Sequence, residues 1–341
     1  MKDHIWTVCS TIVLFAFTLY ISLDTFVISR TYDTNASRSN TSMFADVTSE
    51  TSTPETTVAS EAAALETSDS ETSSEFTDIS TENSESSSDS YETASDDLFV
   101  ENEDENTLKS SGYSISVTEY YENDTKIYVA DITLASSQSL KTAFANGTYG
   151  RNVTDTTSSI AEENNAVLAI NGDYYGARQS GYVIRNGIVY RNKGNGSDVM
   201  CIFANGTMEI LNDKDYSADE LVSMGVWQAF SFGPALVENS SVSVNVNSEV
   251  GQAMASNPRT AVGIIDTNHF VFVVSDGRTS ESSGLSLYEL ATFMQGLGVK
   301  TAYNLDGGGS STMYYNGSVI NKPTTNGRIS ERAVSDIVYI G

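Results

Sequence analysis

Histidine and cysteine are nearly absent from this chain of 341 residues, which contains two of each. His4 precedes the first apolar segment and His269 lies in a short polar turn, so a Ser-His-Asp triad would have to be built on His269. Structural and catalytic zinc sites usually need several Cys or His ligands, which are missing here. The sequence therefore argues against zinc chemistry and against a histidine-dependent hydrolase.

Positive charge is also scarce, because 18 Lys and Arg residues stand against 45 Asp and Glu residues. No basic stripe appears along the chain, so nucleic acid is not expected as a partner. Twenty of the acidic residues lie between Asp33 and Lys109, where Arg38 and Lys109 are the only bases. The two cysteines, Cys9 and Cys201, lie in different segments, so no disulfide is expected within one folded unit.

The first 30 residues contain one long apolar run, from Ile5 to Ile28, in which Asp24 is the only charge. A helix of about 20 residues spans the hydrocarbon core of a bilayer. A cleaved signal peptide is the alternative, but no small-residue cleavage site is visible near Leu23–Ser29. We therefore predict a signal-anchor transmembrane helix within residues 1–30, with a cytoplasmic amino terminus and a single-pass location in the cell membrane.

Residues 31–109 form a tract of Ser, Thr, Glu and Asp with one Pro and few large apolar side chains. Such a composition buries too little apolar surface to offset the entropy lost when the backbone is ordered. We predict a disordered acidic stalk that spans about 50 Å as a coil. It would separate the membrane from an extracellular folded domain over residues 110–341.

The folded domain shows hairpin signals and few helix signals. Apolar residues alternate on both sides of Asn123-Asp124, and Asn-Gly pairs at 186–187, 205–206 and 316–317 are flanked by apolar runs. Three helices are predicted: one over about Thr157–Asn164 and two that begin at Ser217 and Ser286 with a capping-box pattern. Strands outnumber helices, so we predict an α+β domain with a mixed, largely antiparallel sheet.

Three apolar strands are predicted to end in polar residues that apolar packing does not require. Residues 167–170 run into Asn171-Gly172-Asp173, residues 270–274 into Asp276-Gly277-Arg278, and residues 301–305 into Asp306–Thr312 with three successive glycines. A rigid sheet positions such short loops for chemistry. Successive glycines let backbone N–H groups converge on an oxyanion or a phosphate. A plain Asp-Gly hairpin turn is the alternative, and for Asp276-Gly277 it is equally favoured.

Five ordered blocks carry a resemblance to a known family. They are Asn171–Tyr175 (NGDYY), Gly233–Leu236 (GPAL), Arg259–Gly263 (RTAVG), Asp276–Arg278 (DGR) and Asn304–Thr312 (NLDGGGSST). Together they resemble the signature of the phosphodiester glycosidases, the family that includes the mannose-6-phosphate uncovering enzyme, over about Gly112–Gly341. The resemblance implies hydrolysis of a sugar-1-phosphodiester at the anomeric carbon, but it does not imply a particular sugar.

This chemistry asks for one carboxylate near the anomeric carbon and cations around the phosphate, because a phosphate monoester leaves readily. The catalytic candidates are Asp306, Asp173 and Arg259, and the roles of nucleophile and base stay open between the two carboxylates. Arginine suits the phosphate because its planar guanidinium binds two oxygens and stays charged. The substrate-binding candidates are Asn171, Arg185, Asp276, Arg278, Gly307, Gly308, Ser310, Ser311 and Arg332; for Arg332 a plain surface position is equally favoured.

No cofactor is expected to be required, although Ca²⁺ on Asp173, Asp276 or Asp306 stays open because hard cations need only oxygen ligands. We predict a membrane-anchored extracellular hydrolase, a glycosidase of the phosphodiester type. Its expected partner is a phosphoglycan or another cell-surface polysaccharide, such as an exopolysaccharide or a cell-wall polymer. A non-catalytic glycan- or cell-wall-binding module of the same fold is the alternative. Such a module could lose Asp173, Asp306 or Arg259, and this chain keeps all three.

Overall fold

A computed structural model describes residues 13–20, 30–31, 106–246 and 256–341. Residues 13–20 form helix α1, and their large apolar side chains are exposed. Within the described ranges, no helix is both long enough and apolar enough to cross a bilayer. Most of the predicted anchor and nearly all of the predicted stalk lie outside the described residues, so both remain predictions.

The domain is built mainly from strands. In chain order they are β1 (Arg30–Thr31), β2 (Thr107–Lys109), β3 (Tyr113–Glu122), β4 (Thr125–Leu134), β5 (Lys141–Phe144), β6 (Gly150–Arg151), β7 (Leu168–Asn171), β8 (Val183–Arg185), β9 (Ile188–Arg191), β10 (Asp198–Phe203), β11 (Met208–Asn212), β12 (Val226–Phe230), β13 (Ala235–Glu238), β14 (Ser241–Val242), β15 (Arg259–Asp266), β16 (His269–Ser275), β17 (Thr301–Asn304), β18 (Met313–Tyr315), β19 (Ser318–Val319), β20 (Thr324–Thr325), β21 (Arg328–Ile329) and β22 (Asp336–Ile340). β2 begins three residues before the predicted domain boundary and pairs with β3.

These strands form three main sheets. The largest has eight strands in the order β14-β13-β17-β15-β16-β4-β3-β2. Two sheets of five strands have the orders β11-β10-β12-β8-β9 and β19-β18-β7-β22-β5. The pairs β1-β6 and β20-β21 form two further sheets of two strands each. Every strand pairing among the described residues is antiparallel. The predicted antiparallel character is confirmed, whereas parallel pairing, which a mixed sheet would require, is not found there.

The predicted hairpins are confirmed. Asn123 and Asp124 both have φ of 51° and connect β3 to β4. Asn and Asp accept this left-handed conformation more readily than other residues with a side chain, which is why they close tight turns. The three Asn-Gly pairs connect β8 to β9, β10 to β11 and β18 to β19.

The three predicted helices are confirmed as α2 (Thr157–Glu163), α3 (Ala218–Ser223) and α4 (Leu287–Gly296). The side chains of Ser217 and Ser286 each accept a hydrogen bond from the backbone N–H three residues on. The carboxylate of the glutamate at that position accepts one from the backbone N–H of the serine. This capping box satisfies backbone donors that a helix start leaves without partners. α4 then ends before Gly298, whose φ of +82° suits the turn that follows.

The central strands β15, β16 and β17 of the eight-stranded sheet are buried on both faces. Phe272 of β16 joins a core that includes Ile170 of β7 and Phe230 of β12, so the two smaller sheets cover this face. The neighbouring Val273 points to the other face and packs with Leu290 of α4. Because alternate side chains of a strand point to opposite faces, these strands must be apolar throughout. Their polar residues are therefore collected at the strand ends.

Candidate active site

The predicted polar blocks meet where β7, β15 and β17 come together. Asn171 ends β7, and its side-chain amide donates a hydrogen bond to the carbonyl of Asp306 over 2.7 Å. Its side-chain oxygen accepts one from the Thr260 hydroxyl of β15 over 2.8 Å. Asn171 is fully buried, so its amide acts as a cross-link between strands that fixes the backbone at Asp306.

Asp306 follows β17 and carries the carboxylate at the centre of this region. Its Oδ2 accepts hydrogen bonds from Arg332 Nη2 and from the Ser310 hydroxyl, both over 2.6 Å. Burial raises the pKa of Asp306 above its ordinary value, and the Arg332 charge and the Ser310 hydroxyl act in the opposite direction. The side chain keeps 12% of its surface exposed, whereas that of Arg332 keeps 41%. Asp306 is therefore a largely desolvated carboxylate with an opening toward solvent.

Arg332 is held in place by three hydrogen bonds. Its Nε donates to the Ser310 hydroxyl over 2.8 Å, and its Nη2 donates to the Gly307 carbonyl over 3.0 Å as well as to Asp306. The structure thus brings Arg332 to the central carboxylate rather than leaving it as an isolated surface residue. A planar guanidinium held in this way is a pre-positioned cation for an anionic substrate.

The three glycines after Asp306 form a tight turn that neighbouring residues approach closely. The N–H groups of Gly308, Ser310 and Ser311 donate to backbone carbonyls, so these three do not form the predicted oxyanion nest. Gly308, with φ of +65°, lies where an added Cβ would be 3.1 Å from Arg278 Nη2. An added Cβ at Gly307 would be 2.8 Å from the Pro258 carbonyl oxygen. The glycines therefore let neighbouring groups approach the turn closely.

Two further arginines, Arg278 and Arg259, lie around this turn. Arg278 Nε and Nη2 both donate to Asn257 Oδ1, over 3.1 and 2.8 Å, which fixes the guanidinium beside Gly308. Arg259 begins β15, is 4% exposed, and its Nε donates to the Leu285 carbonyl over 2.8 Å. Arg259 is thus more deeply buried than Arg278 and Arg332.

Arg178 is a site residue that the sequence analysis missed. Its charge lies close enough to Asp306 to lower the pKa of that carboxyl, against the larger effect of burial. Its Nη1 donates to the Ser231 carbonyl over 3.0 Å, and its guanidinium lies 4.6 Å from the ring centre of Phe232. The signal was available, because Arg178 follows the NGDYY block by three residues.

Asp173 belongs to a buried ion-pair cluster behind the site. Arg185 Nη2 donates to Asp173 Oδ1 over 2.9 Å, and Arg185 Nε donates to Asp336 Oδ2 over 2.8 Å. The second oxygen of Asp173 accepts the Ser231 N–H over 3.0 Å. Asp173 and Arg185 are each 1% exposed, so they face the protein and not the solvent. Asp336 was missed by the sequence analysis; it begins an otherwise apolar strand.

The charges of this cluster are not balanced, since two carboxylates share one guanidinium. Burial raises the pKa of Asp336 to about 7, and the neighbouring Asp173 charge adds to that effect while Arg185 opposes it. Burial alone would lower the pKa of Arg185, but the two carboxylates outweigh it and raise that pKa. The cluster also explains why residue 172 is a glycine, because a Cβ at this position would lie 2.1 Å from Asp336 Oδ1.

Asp276 binds the segment that contains Asn321 and Lys322. Its Oδ1 accepts hydrogen bonds from Asn321 Nδ2 and from the Lys322 N–H, over 3.2 and 2.8 Å. Asn321 Nδ2 also donates to the Ser311 carbonyl over 3.0 Å. Asp276 is 1% exposed, and burial raises its pKa. Asp276 therefore holds the segment after the glycine-rich turn in place through Asn321.

The three carboxylates considered for Ca²⁺ are bonded to donors of the protein. Arginines bind Asp173 and Asp306, and amide N–H groups bind Asp276. Across residues 13–20, 30–31, 106–246 and 256–341, no group of three or more His, Cys, Asp or Glu side chains is placed to hold a metal ion.

Two solved structures share this fold. The zebrafish N-acetylglucosamine-1-phosphodiester α-N-acetylglucosaminidase catalytic domain, auto-inhibited by its pro-peptide, aligns with a TM-score of 0.54 and 20% identity over 71% of this chain and 86% of its own. A hypothetical protein from Synechocystis aligns with a TM-score of 0.53 and 14% identity over 68% of this chain and 62% of its own. At these identities the likeness concerns the fold alone.

Sequence relatives include an uncharacterized SPbeta prophage-derived protein, YomE, of Bacillus subtilis (strain 168), which is 30% identical over 56% of this chain. The N-acetylglucosamine-1-phosphodiester α-N-acetylglucosaminidase of Mus musculus is 32% identical over 38% of this chain. The matched regions span 30% and 20% of the lengths of these two relatives. The sequence model of the phosphodiester glycosidases matches residues 164–341, just over half of the chain. The chain therefore belongs to the phosphodiester glycosidase family.

Proposed function

We propose that the domain hydrolyses a sugar-1-phosphodiester by breaking the bond between the anomeric carbon and the phosphate oxygen. One observation carries this proposal: a largely desolvated carboxylate, Asp306, opens to solvent through a pre-positioned arginine, Arg332, with Arg178 close by. A single carboxylate surrounded by guanidinium groups suits a substrate that has a reactive carbon next to a phosphate. The family and the Mus musculus relative named above support the same chemistry.

Asp306 acts as the reacting carboxylate, either as nucleophile or as the base that activates water. It is the better candidate than Asp173, because both oxygens of Asp173 are occupied inside the protein and its surface is 1% exposed. The phosphate monoester leaves with the electron pair of the broken bond, and oxygen from water ends on the anomeric carbon. Arg332, Arg178 and Arg278 stabilise the phosphate charge, while Asp173 and Asn171 position the surrounding backbone.

The cellular setting is part of the proposal. The apolar run before residue 30 and the acidic tract that follows support a domain held outside the cytoplasm on a flexible anchor. In that place the substrate would be a phosphodiester-linked glycan of the cell surface. No cofactor enters the proposed reaction.

The experiment is a turnover assay of the full-length protein on a panel of sugar-1-phosphodiesters, beginning with the methyl phosphodiester of N-acetylglucosamine and its glucose counterpart. Wild-type protein should release free sugar and methyl phosphate. Asp306→Asn preserves shape and removes the charge, so kcat should fall at least about 100-fold, as when a base or nucleophile is lost. The matched control is Asp131→Asn, at an exposed carboxylate paired with His269, and it should keep wild-type turnover.

The rival function, a glycan-binding module, makes a different forecast. It predicts saturable binding of these phosphodiesters by wild-type protein with no turnover of any of them. A third outcome, equal turnover by wild type and by folded Asp306→Asn, would remove Asp306 from the reaction and leave the family assignment unaffected.

A further inference from the structure

Two bulky residues of the described chain have a left-handed backbone. Thirteen non-glycine residues have positive φ, and eleven of these are Asn, Asp or Ser. Asn and Asp tolerate this conformation because their short polar side chains hydrogen-bond locally. The two others are Tyr174, with φ of 64°, and Arg278, with φ of 62°. A bulky side chain at such φ is a genuine outlier, and outliers of this kind gather at functional sites.

Both outliers lie beside the Asp306 turn. The Arg278 guanidinium lies against Gly308, as described above. The ring of Tyr174 lies 5.9 Å from the guanidinium carbon of Arg332, which itself binds Asp306. The two strained residues therefore reach the same short turn, and one guanidinium separates the Tyr174 ring from the central carboxylate.

The neighbouring tyrosine shows that burial does not explain Tyr174. Tyr175 is 2% exposed and packs with Phe144 and Tyr149 in an aromatic cluster. Tyr174 is 42% exposed, because the left-handed turn directs it away from this cluster. A conformation that raises the free energy of the folded state, and leaves an aromatic ring in solvent, gains nothing for stability by itself.

We propose that Tyr174 is a sugar-binding residue of the site, whose ring stacks against the apolar face of the glycosyl group when its anomeric carbon faces Asp306. This inference rests on the proposed function. The arginines and the carboxylate provide for the phosphate and the reacting carbon, whereas a pyranose ring also presents a face of C–H groups. An aromatic ring suits that face because it offers a large apolar surface and loses little conformational freedom.

Arg332 explains how the ring stays in position. Its guanidinium packs near the ring and is itself held by Ser310, Gly307 and Asp306. The ring is therefore oriented by a group already fixed to the catalytic turn. The resulting site has two parts, with an apolar surface for the sugar beside a cluster of cations for the phosphate.

The test compares Tyr174→Phe, Tyr174→Gly and a matched control, Asn165→Gly, in the full-length protein with the methyl phosphodiester of N-acetylglucosamine as substrate. Asn165 is an exposed left-handed residue after α2, with φ of 51°, so its Gly variant measures the cost of added chain flexibility without touching the site. Competitive inhibition by free N-acetylglucosamine and by methyl phosphate is measured for each variant.

For Tyr174→Gly we expect KM to rise about three- to tenfold, which corresponds to the interaction free energy of one aromatic contact. The inhibition constant of N-acetylglucosamine should rise with it, and that of methyl phosphate should stay constant. For Tyr174→Phe the rise in KM should be smaller than for Tyr174→Gly, because the ring that contacts the sugar is kept. The melting temperature of Tyr174→Gly should be no lower than that of Asn165→Gly, because glycine relieves the strained φ.

Three results would overturn the inference. They are an unchanged KM in Tyr174→Gly, a rise confined to methyl phosphate inhibition, and a loss that Tyr174→Phe shares with Tyr174→Gly. If wild-type protein turns over no sugar-1-phosphodiester, the failure belongs to the proposed function and is seen before any variant is compared.

Discussion

Arg185→Met should be among the most damaging single changes in the domain, because it removes a buried charge that two carboxylates share. The guanidinium is fully buried, binds Asp173 and Asp336, and lies 4.0 Å from the ring centre of Phe230. Methionine fills much of the same volume but leaves two buried carboxylates without their cation. Removing one partner of a buried ion pair costs about 3–5 kcal/mol. That is a large part of the total stability of about 5–15 kcal/mol expected for a domain.

The loss of folding stability in Arg185→Met should increase as pH rises. In wild-type protein the pKa of Asp336 is about 7, above that of an unfolded chain, and the Arg185 charge lowers it. Loss of Arg185 therefore raises this folded-state pKa further, so the folded variant keeps its proton to a higher pH. A group whose folded-state pKa is raised contributes stability that is lost as pH rises through that pKa. Above about pH 7 the stability difference between wild type and variant should therefore narrow by up to about 1.4 kcal/mol per pH unit on acidification.

The assay is urea unfolding of the full-length protein, followed by circular dichroism at about pH 8.5 and about pH 6.5. Adding Asp336→Asn to Arg185→Met should restore part of the loss, because one orphaned charge is gone. Lys126→Met breaks an exposed pair, Lys126–Glu119, and should leave the midpoint unchanged. A loss below about 1 kcal/mol for Arg185→Met at the higher pH, or a loss that does not vary with pH, would refute this reasoning.

Three further predictions concern the site and its support. Gly172→Ala should cost about 1–3 kcal/mol in thermal unfolding, because its Cβ would meet the fixed carboxylate of Asp336, whereas Gly296→Ala in α4 has open space and should be neutral or stabilising. The pH profile of kcat/KM should lose activity on acidification at a pH above the ordinary Asp value of 3.8, because burial raises the pKa of Asp306 and the ionised form reacts; an acid limb below that value would contradict this. Arg332→Lys cannot keep all three hydrogen bonds of the guanidinium and should lower kcat/KM about tenfold, and near wild-type kinetics would show that the fork is unnecessary.

Local features of the fold were predictable from sequence because their causes are local. The hairpin at Asn123-Asp124 depends on two residues that accept positive φ, and the helices after Ser217 and Ser286 depend on contacts three residues apart. The same holds for the strand ends at Asn171 and Asp306, since a polar residue after an apolar run marks where a buried strand stops.

Long-range pairing in the site was not predictable, because sequence spacing does not reveal which charges meet. Arg332 lies 26 residues after Asp306 on a separate segment, and a surface position was an equally good interpretation. Asp173 and Asp306 have similar sequence contexts at two strand ends, yet one is enclosed by Arg185 and the other opens to solvent. Their difference in burial depends on packing between sheets, which no local pattern encodes.

The glycine-rich turn is a motif that can be recognised in the sequence although the structural reason for its glycines cannot. Successive glycines predict either a backbone anion nest or close approach of neighbours, and both demand the absence of a side chain. Here Pro258 and Arg278 occupy the space beside Gly307 and Gly308. The residue type was predictable, but the reason for it depends on strands distant in sequence.

The central claim is that the bond between the anomeric carbon and the phosphate oxygen is the one that breaks, with Asp306 acting on it. Hydrolysis in H₂¹⁸O tests this claim most directly, because the methyl phosphate product does not exchange its oxygens with water. After turnover of the methyl phosphodiester of N-acetylglucosamine, ³¹P NMR should find methyl phosphate without ¹⁸O, and Asp306→Asn should yield almost no product. Methyl phosphate that carries ¹⁸O, or release of sugar-1-phosphate, would place the cleavage at phosphorus and contradict the account.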